Sequence, residues 1–426
     1  MNLLPYMEQW NMLPQKGGVI LCAVSGGRDS MCLLHYLHHL GKTADFTVAA
    51  AHLNHLMRPT AERDVNFVKS FCAENNIPFY TEAAPIYDRA EEWHITVEEA
   101  GRRARYDFLS RTAAAVGAEK IATAHHRNDQ VETVLLNLLR GTGPEGLSGI
   151  PPVRGKYIRP LLHTTREEIE TYLAENGVAH IEDETNQSRD FARNSLRLDI
   201  WPQLEKLHGG AGENIARCAD IVRKENDYLD ELAAQYLPET GTAISCETLQ
   251  KAPPVLQGRI LRQMLARLPA GKKDVGAVHI EALKTLGNGS GTLALPGGMA
   301  ARCDGKTLSL FLAETPLAEQ VLHEGENQWG DYLVSVVCGG KTQITVRTWQ
   351  AKDRLILPGS RGARSLKRLF AERGIDALTR EMLPVICVDG EVVAAYAVGQ
   401  NTEKLEKNRI KITIKEDKRR KNHGKE

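Results

Sequence analysis

The sequence lacks the marks of several protein classes. Its eight cysteines are scattered along the chain without a CxxC pair, which counts against a disulfide framework and against a zinc or iron–sulfur site. No apolar run approaches the length that crosses a bilayer, and the opening MNLLPYMEQWNMLPQ has neither the basic region nor the apolar stretch of a secretion signal. We therefore expect a cytoplasmic protein that is not attached to a membrane.

Net charge is also missing, because 54 Lys and Arg balance 54 Asp and Glu among the 426 residues. The charges are nevertheless unevenly placed: from Arg347 onward, 19 Lys and Arg face 11 Asp and Glu. A basic terminal domain of this kind is typical of binding to a polyanion such as nucleic acid. The last stretch, Lys415–Glu426, is equally typical of a solvated, disordered tail.

A Walker phosphate loop is absent as well. None of the Gly-Lys-Thr triplets that begin at Gly41, Gly305 and Gly340 has the glycine that this motif requires five residues upstream. Another glycine-rich loop is present, directly after the apolar run Val19–Val24. Its residues are Ser25, Gly26, Gly27, Arg28, Asp29 and Ser30, and an amphipathic helix pattern follows them.

This loop has the features of a phosphate site. A strand that runs through two glycines into a helix leaves several backbone N–H groups unpaired at one point, in front of the positive end of the helix dipole. Gly26 and Gly27 let the backbone approach an anion, and Ser25 and Ser30 add hydroxyl donors. Asp29 adds a carboxylate for a metal ion beside the phosphates. The pattern predicts a nucleotide site, with an ordinary strand-to-helix turn as the alternative.

Short apolar runs alternate with helix-length amphipathic stretches from Gly17 to about Gly149. Strands are predicted at Val19–Val24, Phe46–His52, Ile77–Thr81 and Lys120–Ala124, and helices at Asp29–Leu40, Ala61–Asn75, Val97–Val116 and Asn128–Arg140. This alternation predicts an α/β fold with a doubly wound parallel sheet. Such sheets bind ligands at the carboxyl ends of their strands.

The pattern changes further along the chain and predicts four parts. Residues 1–212 form the α/β catalytic domain, and residues 213–314 form a mainly helical domain that binds the substrate. Residues 315–341 are weakly patterned and are interpreted as a linker. Residues 342–426 form a small, basic α+β domain.

A second polar segment, AHHRNDQVET, follows the predicted strand that ends at Ala124 and opens a helix. His125, Asp129 and Glu132 are spaced i, i+4 and i+7 and share one helical face. Asp129 and Glu132 are predicted to ligate Mg²⁺ together with Asp29, and His126 to donate to a phosphate or substrate oxygen. A solvated helix end and a zinc site are the alternatives.

Two further groups of residues are weaker candidates. Arg102 and Arg105 lie one turn apart beside Tyr106, where they can clamp a triphosphate or an RNA backbone, or simply be solvated. His52 and His55 close the second predicted strand, where they can contact adenine or ribose, or only cap the loop.

Taken in order, several motifs resemble those of the bacterial tRNA(Ile)-lysidine synthetase family, whose members are N-type ATP pyrophosphatases of the PP-loop superfamily. The motifs are SGGRDS, HHRNDQVET, RGTGPEGLSGI, Arg159-Pro160-Leu161, the segment 182–186 and the segment 193–197, and they span about residues 19–205. Residues 366–385 resemble the family's terminal domain. The sequence departs from the family at Asp183-Glu184-Thr185-Asn186, where Asp-x-Ser-Asn is common.

The resemblance implies a ligase that uses ATP to adenylate the C2 oxygen of the wobble cytidine in a CAU-anticodon tRNA(Ile). The ε-amine of L-lysine then displaces AMP, which leaves lysidine, AMP and pyrophosphate. By position, residues 25–30 are assigned to ATP, and Asp29, Asp129 and Glu132 to Mg²⁺. His126 and Arg102 are assigned to stabilising an oxyanion or the substrate.

Several points stay open at this stage. The sequence identifies neither the residues that bind lysine nor the general base, and it leaves a homodimer open. Two other functions compete: a thiolation enzyme of the same fold, which also adenylates a carbonyl oxygen, and an RNA-binding or nucleotide-sensing protein without catalysis.

Overall fold

The computed structural model of the chain describes residues 1–57, 61–182, 195–269, 271–272, 274–313, 317–339 and 342–417. The chain divides into two compact units, Met1–Asp227 and Tyr228–Glu426. The Asp-Glu-Thr-Asn motif (183–186), the first two residues of the segment 193–197 and most of the predicted basic tail lie outside the described residues.

A six-stranded sheet forms the centre of the first unit. Its strands are β1 (Val19–Ala23), β2 (Thr47–Asn54), β3 (Phe79–Ala83), β4 (Lys120–Ala122), β5 (Val153–Arg154) and β6 (Tyr157–Ile158), in the order β3-β2-β1-β4-β6-β5. All neighbours are parallel except β5 and β6 at one edge. The doubly wound α/β fold predicted from the sequence is therefore confirmed.

Helices cover both faces of this sheet. The helices of this unit are α1 (Leu4–Gln9), α2 (Arg28–Ala44), α3 (Ala61–Glu74), α4 (Ile86–Trp93), α5 (Val97–Ala115), α6 (Arg127–Leu139), α7 (Pro144–Leu147), α8 (Arg166–Glu175) and α9 (Trp201–Leu207), and α10 (Ala211–Ala234) continues into the second unit. Ile20 and Cys22 of β1 pack in the same core as Leu34 of α2, whereas Leu21 packs in the core that contains Phe108 of α5. The alternation of side chains along a strand thus supplies both cores.

The second unit begins with helices packed against an antiparallel sheet. The helices are α11 (Cys246–Lys251), α12 (Pro254–Ala266) and α13 (Ala277–Gly287), and the strands are β7 (Ala243–Ser245), β8 (Ser290–Ala294), β9 (Met299–Asp304) and β10 (Thr307–Leu312). Ile260 and Leu261 of α12 and Leu308 of β10 are fully buried in one core. This region confirms the predicted helical middle of the chain, with the hairpin strands that its glycines indicated.

Short strands dominate the rest of the unit. They are β11 (Gln320–Val321), β12 (Gly325–Trp329), β13 (Tyr332–Cys338), β14 (Ile344–Arg347), β15 (Arg354–Leu355), β16 (Arg364–Ser365), β17 (Val385–Val388), β18 (Glu391–Ala395), β19 (Gly399–Gln400) and β20 (Ile410–Glu416). Three helices accompany them: α14 (Leu366–Glu372), α15 (Ala377–Arg380) and α16 (Thr402–Lys407). Among the described residues, no helix is both long and apolar enough to cross a membrane.

The linker predicted at residues 315–341 is wrong for the part that the structure describes. This segment contains β11, β12 and β13, and β13 pairs with β20 along its whole length. Trp329 and Val334 are buried in the same core as Ile344. The sequence pattern of this segment was weak because β12 is mostly polar. In addition, β13 pairs with β20, which begins more than 70 residues later in the chain. The two units also divide within α10, beyond the boundary predicted at residue 212.

Candidate nucleotide site

The loop between β1 and α2 has a backbone that requires glycine. Gly26 has a φ of +89°, and a Cβ at this position would lie 3.0 Å from Cδ1 of Ile181. The N–H of Ile181 donates to the carbonyl of Gly26 at 2.9 Å, which holds the two segments together. Gly27 is the N-cap of α2, and no described side chain caps that helix. The first turn of α2 therefore presents its amides to an anion.

The two serines brace this loop. Ser30 Oγ donates to the carbonyl of Gly27 at 2.9 Å and accepts from the N–H of Ser25 at 3.1 Å. Ser25 Oγ in turn accepts from the N–H of Gly27 at 3.3 Å. These residues line a cavity of about 260 Å³ together with Ala124 and Ile181. Because whole-ligand pockets are usually larger, this volume suits part of a nucleotide.

Arg28 lies in the loop and lines the same cavity, but its guanidinium forms an ion pair with Glu170 of α8. Glu170 also accepts from Arg166 Nε at 3.1 Å. The structure thus gives Arg28 a protein partner in place of the phosphate expected from the sequence. Its assignment to ATP stays a prediction.

An acidic cluster around His126 lies beside the loop. His126 Nε2 is 3.8 Å from Asp29 Oδ2 and 3.6 Å from Asp129 Oδ2. The N–H of Asn128 donates to His126 Nδ1 at 3.2 Å, so in the neutral ring the proton belongs on Nε2, which faces both carboxylates. The N–H of His126 donates to Asp129 Oδ2 at 3.0 Å and completes a capping box at the start of α6. The glycine loop at residues 25–30 and the start of α6, which are far apart in the sequence, therefore lie side by side.

The pKa values of the two carboxylates are shifted in opposite directions. It raises the pKa of Asp29, and the charge of Asp129 acts in the same direction against the opposing effect of His126. Burial also acts to raise the pKa of Asp129, but His126 and His125 and the backbone N–H of His126 outweigh it, so this pKa is lowered. Asp29 Oδ1 is buried and has no hydrogen-bond partner among the described residues. A buried, unsatisfied carboxylate oxygen is costly, and a bound cation would satisfy it.

Glu132 lies on the same helix but has a different partner. Its carboxylate is almost fully buried and accepts from Arg197 Nε at 2.7 Å and from Arg197 Nη2 at 3.1 Å. Arg197 Nη2 also lies 3.7 Å from Asp129 Oδ1. Within the described part of the chain, no three His, Cys, Asp or Glu side chains are arranged to hold a metal ion. Glu132 thus has a guanidinium partner in this structure, and its assignment to Mg²⁺ together with Asp29 and Asp129 stays a prediction.

Comparison with known proteins identifies the family of the chain. Residues 6–204 match the family model described as PP-loop domain, and residues 344–414 match the model described as TilS substrate C-terminal domain. A tRNA(Ile)-lysidine synthase from Clostridium tetani is 30% identical over 459 residues, covering 98% of each chain. The protein of the same name from Geobacter sulfurreducens is 32% identical over 408 residues, covering 87% of this chain and 86% of the relative.

The chain belongs to the tRNA(Ile)-lysidine synthase family. In this family member, residues 25–30, Asp29, His126 and Asp129 are brought together as the sequence predicted. Arg197 is a residue of the site that the sequence analysis did not predict. It belongs to the segment 193–197, which resembles a family motif, but its ion pair with Glu132 was not expected. A buried glutamate needs a positively charged partner, and that need was the available signal.

The weaker candidates lie elsewhere in the family member's structure. Arg102 is exposed on α5 and stacks over the ring of Tyr106 at 5.3 Å, and none of the described contacts joins it to the acidic cluster. Its role at an oxyanion stays a prediction. His52 is buried, and its Nδ1 lies 2.9 Å from the carbonyl of Val24, which favours the structural interpretation of this histidine. Arg105 lies beside His55, with Nη2 3.3 Å from Nε2.

Proposed function

We propose that this chain carries out the reaction of its family. ATP adenylates the C2 oxygen of the wobble cytidine in a CAU-anticodon tRNA(Ile), and the ε-amine of L-lysine displaces AMP to give lysidine. The main support for this proposal is the position of His126, Asp29 and Asp129. They lie beside a glycine loop that leads into a helix whose N-terminus has no side-chain cap. A cytosine carbonyl oxygen is a poor leaving group, and adenylation makes it a good one.

The loop binds the polyphosphate in this proposal. The amides at the start of α2 are already aimed at the cavity, because the Gly26 backbone and the two serines fix the loop before any ligand arrives. Preorganised donors of this kind stabilise negative charge as it develops on the leaving pyrophosphate. Ile181, which follows α8 in the chain, lies against Gly26 and lines the same cavity.

Asp29 and Asp129 are the residues that would hold Mg²⁺. Mg²⁺ is usually bound by one or two carboxylates and by substrate phosphates, and the unsatisfied Asp29 Oδ1 fits that requirement. The ion would neutralise charge on the phosphates during transfer. His126 keeps a proton on Nε2 between the two carboxylates and is placed to donate it to a phosphate or substrate oxygen.

The second unit is proposed to hold the tRNA through its phosphates. Arg361, Lys367 and Arg368 are exposed within one stretch of the terminal region. Arg368 pairs with Glu372, so part of this charge is already balanced. Side chains of this type contact the nucleic-acid backbone without reading sequence.

Mass analysis of the modified nucleoside tests the function directly. The full chain is incubated with ATP, tRNA(Ile) and either labelled L-lysine or a sulfur donor. Lysidine should appear with lysine, together with AMP and pyrophosphate in equal amounts. A thionucleoside would favour the competing thiolation function, and no pyrophosphate release at all would favour a non-catalytic RNA-binding protein. L-lysine, Mg²⁺, a cytoplasmic location and a homodimer remain predictions.

A further inference from the structure

Two cysteines of the second unit lie in contact although they are far apart in sequence. Cys246 opens α11, and Cys303 lies in β9. Their sulfur atoms are 3.4 Å apart. Cys246 is 5% exposed and Cys303 is 2% exposed, so the pair is enclosed by the core. Neither takes part in the proposed reaction.

The backbone holds both cysteines in place from either side of one hairpin. The N–H of Cys246 donates to the carbonyl of Lys306 at 2.7 Å, and Cys303 lies opposite Leu308 in the β9–β10 pair. Cys303 Sγ also donates to the carbonyl of Gly289 at 3.1 Å. The sulfur atoms must therefore move by a little over 1 Å to reach the bonding distance of about 2 Å, a change within reach of side-chain rotation.

We propose that Cys246 and Cys303 form an oxidisable dithiol site, which becomes a disulfide when the folded protein meets a hydroperoxide. The two thiols lose two protons and two electrons as the S–S bond forms. Hydrogen peroxide accepts them as its O–O bond breaks, and it leaves as two water molecules. The bond fastens α11 to the β9–β10 hairpin.

The raised pKa of the Cys246 thiol limits the rate of this oxidation. Burial raises the pKa of the Cys246 thiol to about 11, and the hydrogen bond with Cys303 adds to this effect. Because the thiolate is the nucleophile, oxidation is slow at neutral pH and speeds up as the pH rises. Cys218, by contrast, is exposed and is available to peroxide from solution.

Peptide mapping of the full chain tests the proposal. The protein is treated with hydrogen peroxide under native conditions, unfolded, alkylated and digested without reduction. We expect a peptide that links residue 246 to residue 303 and a loss of about 2 Da from the chain. Cys303→Ser should abolish the link. The matched control is Cys72→Ser, which removes another buried thiol and should leave the link intact.

Two outcomes would overturn the proposal. In the first, Cys246 and Cys303 are both still alkylated as thiols after prolonged treatment at raised pH, under conditions that fully oxidise the exposed Cys218. This comparison is made within the unaltered chain, so it does not depend on the folding of a variant. In the second, the linked protein melts no higher than the peroxide-treated Cys303→Ser protein. A bond that fits the native geometry should raise the melting temperature by on the order of 5 °C.

Discussion

The glycine loop of the first unit and the basic stretch at residues 354–368 of the second unit are both proposed to bind anions, but they are built in different ways. Ser30 and His126 are 6% and 7% exposed and are fixed by hydrogen bonds, whereas Arg361 and Lys367 are exposed on the surface. A small anion in a cleft needs donors that are fixed before it binds. A polyanion gains affinity from many screened charges, each of modest effect. Substitutions in the loop region should therefore impair turnover by misplacing fixed donors. Substitutions in the stretch should each weaken tRNA binding by a modest amount, and these losses should add up and depend on salt.

The largest effect is expected from Asp129→Asn. This change removes the charge that faces His126 Nε2 at 3.6 Å, while the amide oxygen can still cap α6, so the fold should persist. Lysine-dependent AMP release with tRNA(Ile) should fall by about 100-fold or more. The control is Asp107→Asn on α5, whose exposed carboxylate pairs with Arg111 and should be dispensable for turnover. Near-normal turnover of Asp129→Asn would remove this residue from the reaction.

Arg197→Met tests whether the buried ion pair supports the site. Removing the guanidinium leaves the Glu132 carboxylate buried without its bidentate partner, so the free energy of unfolding should drop by about 3 kcal/mol. Denaturant unfolding measures this loss. The double variant with Glu132→Gln should recover most of it, because no buried charge then remains. Equal stability of the single and double variants would contradict the assigned pairing.

The surface stretch should respond more weakly. Arg361→Ala combined with Lys367→Ala should lower the affinity for tRNA several-fold at low salt. The slope of the logarithm of affinity against the logarithm of salt should become shallower by roughly one unit for each phosphate that the variant no longer neutralises. Lys251→Ala is the control, since this lysine is exposed on α11 and already pairs with Glu247. An unchanged slope would place the tRNA backbone elsewhere.

The smallest effect concerns pH. Burial lowers the pKa of His55 from 6.5 to about 4, and Arg105 acts in the same direction. Between these two values the unfolded chain binds more protons than the folded chain, so the unfolding free energy should decrease as the pH falls through this window. His55→Gln should flatten that slope in urea titrations across the range when it is compared with the unaltered chain. Identical slopes in the variant and the unaltered chain would exclude the contribution of His55.

Much of the first unit follows from the sequence because its signals are local. The alternation of apolar runs with amphipathic stretches predicted the core strands to within a few residues, and the glycine loop was found at the end of β1. Helices α1 and α4 were missed: each spans two turns or so, too short for a clear helical period. The ends of the helices differ by only a few residues from those predicted.

What the sequence did not predict depends on long-range contacts. Glu132 and Arg197 are 65 residues apart, and the sequence around either residue does not indicate that their side chains form an ion pair. The strands within residues 315–341 do not stand out in the sequence because β12 is mostly polar and because the second edge of β13 is covered only by the distant β20. In both cases the sequence does not show which distant residue will pair with a buried charge or with the backbone groups of a strand edge.

The pairing of β13 with β20 also has a consequence for biosynthesis. The ribosome releases Tyr332–Cys338 long before Ile410–Glu416, so one edge of β13 stays open while the intervening residues are made. An open strand edge is a template for association with other chains. A nascent chain that stalls before Ile410 therefore exposes this edge, and a chaperone that shields it would be most useful in that interval.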